Sequence, residues 1–288
     1  MGYTLASDAT LDLPIDLIEK YNIAVVPMAF TLDGEEIMHY PDERNMTTEA
    51  FYDALKQGKK SVTSQINPAN YVEFFTPILE SGEDILYICF TSGLSGTYQS
   101  ALIAKDMLKE DFPERTICVV DSLCASAGQG YFVYLAALQK EEGLSLTELE
   151  EWIIAHRNRI AHWFTVEDLF HLQRGGRLSF AEAMLGSALK IKPIISVDED
   201  GRLYVENKVR GNKKSVEYMI GKINDTMDEE EHTVFIAHGD AEERALQLKE
   251  KLLEKTEAEN IQITKIGPVI GSHTGPGMLA VLFMEKEQ

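Results

Sequence analysis

Three things are scarce in this 288-residue chain: cysteine, basic charge and long apolar runs. The cysteines are Cys89, Cys118 and Cys124. An odd count with no C-x-x-C pair offers neither a disulfide framework nor a zinc site, so reduced core thiols are expected. Lysine and arginine number 27 against 47 aspartates and glutamates, a net charge of −20. That surplus argues strongly against a nucleic-acid partner, because binding phosphates needs a basic surface. It also disfavours docking on an anionic membrane. No stretch approaches the roughly 18 apolar residues of a spanning helix, so no stable membrane insertion is expected. The chain opens without a basic segment followed by an apolar one, and a cytoplasmic protein is the consistent expectation. The histidines show no H-E-x-x-H or comparable spacing, so no metal is expected.

What remains is an ordinary globular composition, 44% hydrophobic and 26% charged. The length allows one large or two modest domains. Short apolar runs alternate with helical patterns through the first half. Strands are predicted over 3–6, 23–31, 85–90 and 117–120, with helices over 13–21, 47–56, 68–79, 97–109 and 125–139 between them. Alternation of this kind gives a parallel sheet covered by helices, with strands buried on both faces. After an amphipathic helix over 146–160, the second half reads as a mixed unit. It has strands over 162–166, 193–197, 203–208, 233–237, 261–266 and 278–284, and helices over 213–227 and 242–254. The pair at 193–208 reads as a hairpin turning at Asp198-Glu199-Asp200-Gly201. The fold class is α/β in two domains: an N-terminal parallel sheet over 1–160, a C-terminal mixed α/β domain over 161–288, and a ligand between them.

The most informative passage is Cys89-Phe90-Thr91-Ser92-Gly93-Leu94-Ser95-Gly96-Thr97. An apolar strand runs into a turn of hydroxyls and glycines, and a helix begins near Thr97. Unpaired N–H groups at a helix start suit a phosphate or a carboxylate. The same pattern is also an ordinary cap and tight turn. Ligands of open α/β sheets sit at the carboxyl ends of strands. Asp8, Ser92, Ser95, Asp121 and Ser122 all follow predicted strands there, and Thr63-Ser64 lies in a loop able to face them. Arg174 and Arg177 flank Gly175-Gly176, as a solvated turn or as positive charge for a transferring phosphoryl group. His273 falls in the Gly/Pro-rich segment 271–277, read as a loop. Phe30, Met28, Phe170, Leu189 and Met278 are candidates to line an apolar tunnel or to be plain core.

Seven segments, in order, resemble the DegV family of bacterial fatty-acid-binding proteins. They are Ser7-Asp8-Ala9-Thr10-Leu11-Asp12-Leu13-Pro14, Thr63-Ser64-Gln65, the Ser92 to Ala101 turn, Val120-Asp121-Ser122, Leu172 to Ser179 around R-G-G-R, Ile191-Lys192-Pro193-Ile194, and Gly267 to Gly277. The chain departs where Ser-Asp-Ala-Thr replaces the family's frequent Thr-Asp-Ser-Thr, and where Ile66-Asn67 replaces Pro-Ser. The resemblance implies a long-chain fatty acid as ligand, its tail buried and its carboxylate held by Thr63, Ser95 and Gly96, with Ser64 and His273 close by. It implies no cofactor and no catalytic residue of the chain's own. It further implies a separate ATP-dependent fatty acid kinase as partner, which forms an acyl phosphate for phospholipid synthesis, with Arg174, Arg177 and Arg210 facing that chemistry. The alternative is a serine hydrolase with Ser95 as nucleophile and Asp240 and His273 completing a triad. Its motif is imperfect, because Thr97 stands where G-x-S-x-G ends in glycine. A sugar-phosphate or nucleotide sensor would use the same turn.

Overall fold

The computed structural model describes residues 2–179 and 191–287. In the first half, β1 (Tyr3–Asp8), β2 (Ala24–Val26), β3 (Met28–Leu32), β4 (Glu35–His39), β5 (Ser61–Thr63), β6 (Asp84–Cys89) and β7 (Ile117–Asp121) form two sheets. The larger is parallel, four-stranded, in the order β2-β1-β6-β7. The helices are α1 (Ile15–Lys20), α2 (Thr48–Lys56), α3 (Pro68–Glu80), α4 (Thr97–Leu108), α5 (Ala127–Glu141) and α6 (Leu146–His156).

Side-chain alternation sorts the parallel strands onto two helical layers. Ile85, Tyr87 and Cys89 pack with Tyr71 and Phe75 of α3 and Ala101 and Ala104 of α4. Leu86 and Ile88 point the other way, into the cluster with Tyr131, Phe132 and Leu135 of α5. Local signals set the helix ends. The Asn67 side chain accepts from Asn70 N at 3.0 Å, with Pro68 in the first turn. A reciprocal Ser145/Glu148 capping box opens α6.

The expected strand over 23–31 is in fact two. Pro27 has no N–H to give a ladder, and the chain changes sheets there. β2 pairs with β1, whereas β3 joins β4 and β5 in a separate three-stranded antiparallel sheet.

The second half supplies β8 (Ile160–Thr165), α7 (Phe170–Arg174), β9 (Ile191–Val197), β10 (Leu203–Arg210), α8 (Gly211–Thr226), β11 (Thr233–His238), α9 (Glu242–Lys255), β12 (Asn260–Lys265), α10 (Pro268–Thr274) and β13 (Leu279–Met284). Its six-stranded sheet has the order β10-β9-β8-β13-β11-β12, antiparallel except for β11 with β12. The β9–β10 hairpin is as expected, with one register shift between Val205 and Asn207. Trp163, Ile236, Val281 and Phe283 face Met219, Ile223, Leu248 and Leu252 of α8 and α9. The opposite face, with Phe164, Phe235, Ala280 and Leu282, shares one cluster with α5. Helix α5 is therefore sandwiched between the two large sheets. The segment 271–277 is not all loop: buried Val269 and Thr274 give Pro268–Thr274 a packed helical face, and His273 sits in its last turn.

Candidate functional site

A cavity lies between the carboxyl ends of the parallel strands and the inner face of the mixed sheet. Thr10, Phe90 and Ala125 follow β1, β6 and β7 and line one side. Phe164, Ala237, Ala280 and Leu282 line the other. Val269, Ile270, His273 and Thr274 of α10 close a third wall. About 80 Å³ of it is open to the centre of a water molecule, several times what one water requires. Such an apolar lining with a few polar groups is the usual form of a small-molecule site.

Four of the polar groups on that lining are Thr63, Ser95, Arg177 and His273. Thr63, at the end of edge strand β5, places Oγ1 2.8 Å from His273 Nε2. Burial, reinforced by the Arg177 charge, lowers the His273 pKa to about 4, so its imidazole is neutral at pH 7. Its Nδ1 is buried with no hydrogen-bond partner among the described residues. Gly175 presses on that ring: a Cβ at position 175 would stand 2.1 Å from Nδ1. Arg177 reaches across to the turn, donating from Nε to Leu94 O at 3.1 Å and from a terminal nitrogen to Gly175 O. Ser95 Oγ lies 2.7 Å from Thr97 Oγ1 and accepts from Thr97 N at 3.3 Å, so the serine both helps to cap α4 and reaches the cavity.

The other sequence candidates lie elsewhere. Ser64 and Gly96 are exposed and do not line the cavity. Arg174 is exposed, 4.0 Å from Asp168, and Arg210 is exposed at the end of β10. Asp8 is a buried hub beneath the site, accepting from Thr10, Tyr87 Oη, Phe90 N and Gln129. Asp121 fixes two loops by accepting from Ser92 N and Leu123 N, both at 3.1 Å. Ser122 accepts from Cys124 N at 3.0 Å. Of the tunnel candidates, Met28 and Met278 line the cavity. Phe30 packs instead on Phe51, Phe170 packs against the main cluster, and Leu189 lies outside the described residues. The triad of the hydrolase alternative is not assembled: Ser95 bonds Thr97, His273 bonds Thr63, and Asp240 pairs with Lys56 at 3.0 Å. All three cysteines are free and buried. Among the described residues no cluster of metal-ligating side chains occurs, and no helix is long and apolar enough to cross a membrane.

The family model described as "Uncharacterised protein, DegV family" matches residues 4–286. The chain belongs to the DegV family. A DegV domain-containing protein of Clostridium perfringens is 40% identical to this DegV chain over 283 residues, 98% of this chain and 97% of that protein. A fatty-acid-binding DegV protein of Thermus thermophilus superposes with a TM-score of 0.86 at 29% identity, covering 99% of this chain and 100% of that one. One from Streptococcus agalactiae, also described as fatty-acid-binding, gives 0.86 at 28% identity with both chains fully covered.

Several lining residues of the DegV chain escaped the sequence reading, among them Thr10, Leu94, Phe164 and His162. A signal existed for His162 and Phe164. They alternate with Ala161 and Trp163, so one face of β8 carries both.

Proposed function

We propose that this chain binds a long-chain fatty acid, tail in the cavity and carboxylate beside Thr63, Ser95 and His273, and presents that carboxylate to a separate ATP-dependent kinase for acyl-phosphate formation. The observation that carries the reading is the coincidence of an apolar cavity with Thr63, Ser95, the neutral His273 imidazole and Arg177 on its lining. Burial of the tail supplies affinity at about 0.8 kcal/mol per methylene. Hydroxyl donors orient the carboxylate through charge-assisted hydrogen bonds and leave its oxygens able to attack a phosphoryl group. Arg177 adds positive charge beside it, and the exposed Arg174 and Arg210 are the proposed kinase-facing groups. The fatty-acid-binding relatives support the ligand class.

Native mass spectrometry of the purified protein tests the ligand. One added mass matching a long-chain fatty acid is expected; a chain that carries none and takes up none when offered refutes the reading. The partnership is tested with ATP and a fatty acid kinase: acyl phosphate is expected only when the loaded chain and the kinase are both present.

A further inference from the structure

His162 sits in the wall of the cavity with both ring nitrogens committed. Nδ1 lies 2.9 Å from Ile160 O, and Nε2 accepts from Ala125 N at 3.1 Å. A carbonyl accepts only, so Nδ1 carries the proton and the ring is held in one tautomer and one orientation. Burial lowers its pKa to about 4, so it is uncharged at pH 7. A Cβ at Gly128 would stand 2.0 Å from Nε2, so the ring is wedged against the first turn of α5.

Two features place this ring away from the Thr63–His273 pair. The edges of the parallel sheet are β2 and β7. Thr63 pairs with Phe30 of β3, on the β2 side, whereas Ala125, which bonds His162, follows β7. The second feature is depth along β13. Met278 follows the helix of His273, and Leu282, which pairs with His162, lies four residues further on, about 14 Å down an extended strand. The antiparallel pairing of Phe164 with Ile195 brings Val197 level with His162, and Leu203 pairs with Val197. Leu203, Val197, His162 and Leu282 form one row across the sheet, and all four line the cavity.

We propose that His162, with Leu282 beside it, closes the far end of the acyl cavity and sets the length of chain accepted. This rests on the fatty-acid reading. An imidazole with spare donors would invite a polar ligand group. With both nitrogens satisfied it offers only its carbon edge, a rigid stop against a terminal methyl. Side chains free to change rotamer would make a softer limit.

The test offers the purified, delipidated protein an equimolar mixture of lauric, myristic, palmitic, stearic and arachidic acids, with the bound acids read by native mass spectrometry. His162→Ala opens the end and is expected to move the bound population to longer acids. Each additional methylene that becomes buried is worth about fourfold in relative occupancy. Leu282→Phe fills the same row and is expected to move it to shorter acids. Should His162→Ala fail to fold, His162→Asn keeps a donor for Ile160 O while still shortening the side chain. Wild-type length profiles in folded His162 variants overturn the proposal, even where Leu282→Phe shifts. Wild-type protein that takes up none of the acids instead overturns the fatty-acid reading, and this inference with it.

Discussion

Thr63 Oγ1 and His273 Nε2 are 2.8 Å apart although the residues are 210 positions apart in sequence. One ends an edge strand of the small antiparallel sheet, and the other lies in the last turn of α10. A neutral imidazole that donates through Nε2 leaves the Thr63 hydroxyl proton for a ligand oxygen. A protonated ring would be buried beside Arg177, which is why its pKa falls.

The pair should behave as one unit. Thr63→Ala and His273→Ala are each expected to weaken fatty-acid binding about fivefold, the worth of roughly one hydrogen bond. The double variant should lose clearly less than the product of the two. Dissociation constants for all four proteins form the cycle, and full additivity would show that the bond is not used in binding.

Gly175 tests the contact from the other side. Gly175→Ala puts a methyl 2.1 Å from His273 Nδ1, so the ring or the R-G-G-R loop must move. Weaker binding is expected, together with altered His273 resonances in NMR spectra. Unchanged spectra and affinity would mean that the loop yields without disturbing the ring.

Asp12 predicts a pH dependence. Its buried carboxylate accepts from Ser126 Oγ at 2.6 Å and from Gly267 N at 2.8 Å, bracing the starts of α5 and α10. Burial is the main cause of a pKa raised to about 7. The folded protein therefore holds this proton more tightly than the unfolded chain. The linked stability is fully present below about pH 4 and is lost as pH rises through 7, on the order of 4 kcal/mol. His39, His162 and His273, each lowered to about 4, act oppositely: their contribution is present above pH 6.5 and lost on acidification. Comparing the wild type with Asp12→Asn isolates the carboxylate. Between pH 4 and 7, urea midpoints should move in favour of Asp12→Asn, and parallel pH profiles would contradict the shift.

Gly221 lies inside α8, and a Cβ there meets nothing within 4 Å. Gly221→Ala is expected to stabilise the protein by about 0.5–1 kcal/mol through helix propensity alone. Thermal unfolding checks this, and fatty-acid binding should not change.

Much of the fold could be read locally. The continuous apolar run at 85–90 reflects a strand buried on both faces, and the turn-bounded pair at 193–208 reflects its hairpin. Some signals were present and unused. Asp33-Gly34, with φ of 52° and 90°, is the two-residue turn that joins β3 to β4. Pro27 marked the point where one apolar run becomes two strands in two sheets. The seven motif segments identified the family, because their order and residue types survive without coordinates.

The sequence by itself determined most of the strands and helices, the acidic character of the chain, and Thr63, Ser95 and His273 as site candidates, but it read 23–31 as one strand and placed Thr63 and the 271–277 segment in loops. Only the tertiary structure decided which hydroxyls reach the cavity, that His273 is a neutral helical residue bonded to Thr63, and that His162 lies at the far end. The reason is physical. Periodicity and capping act over a few residues, whereas a cavity is built by side chains brought together from strands of two sheets and a short helix, and its electrostatics follow from how deeply that packing buries each group.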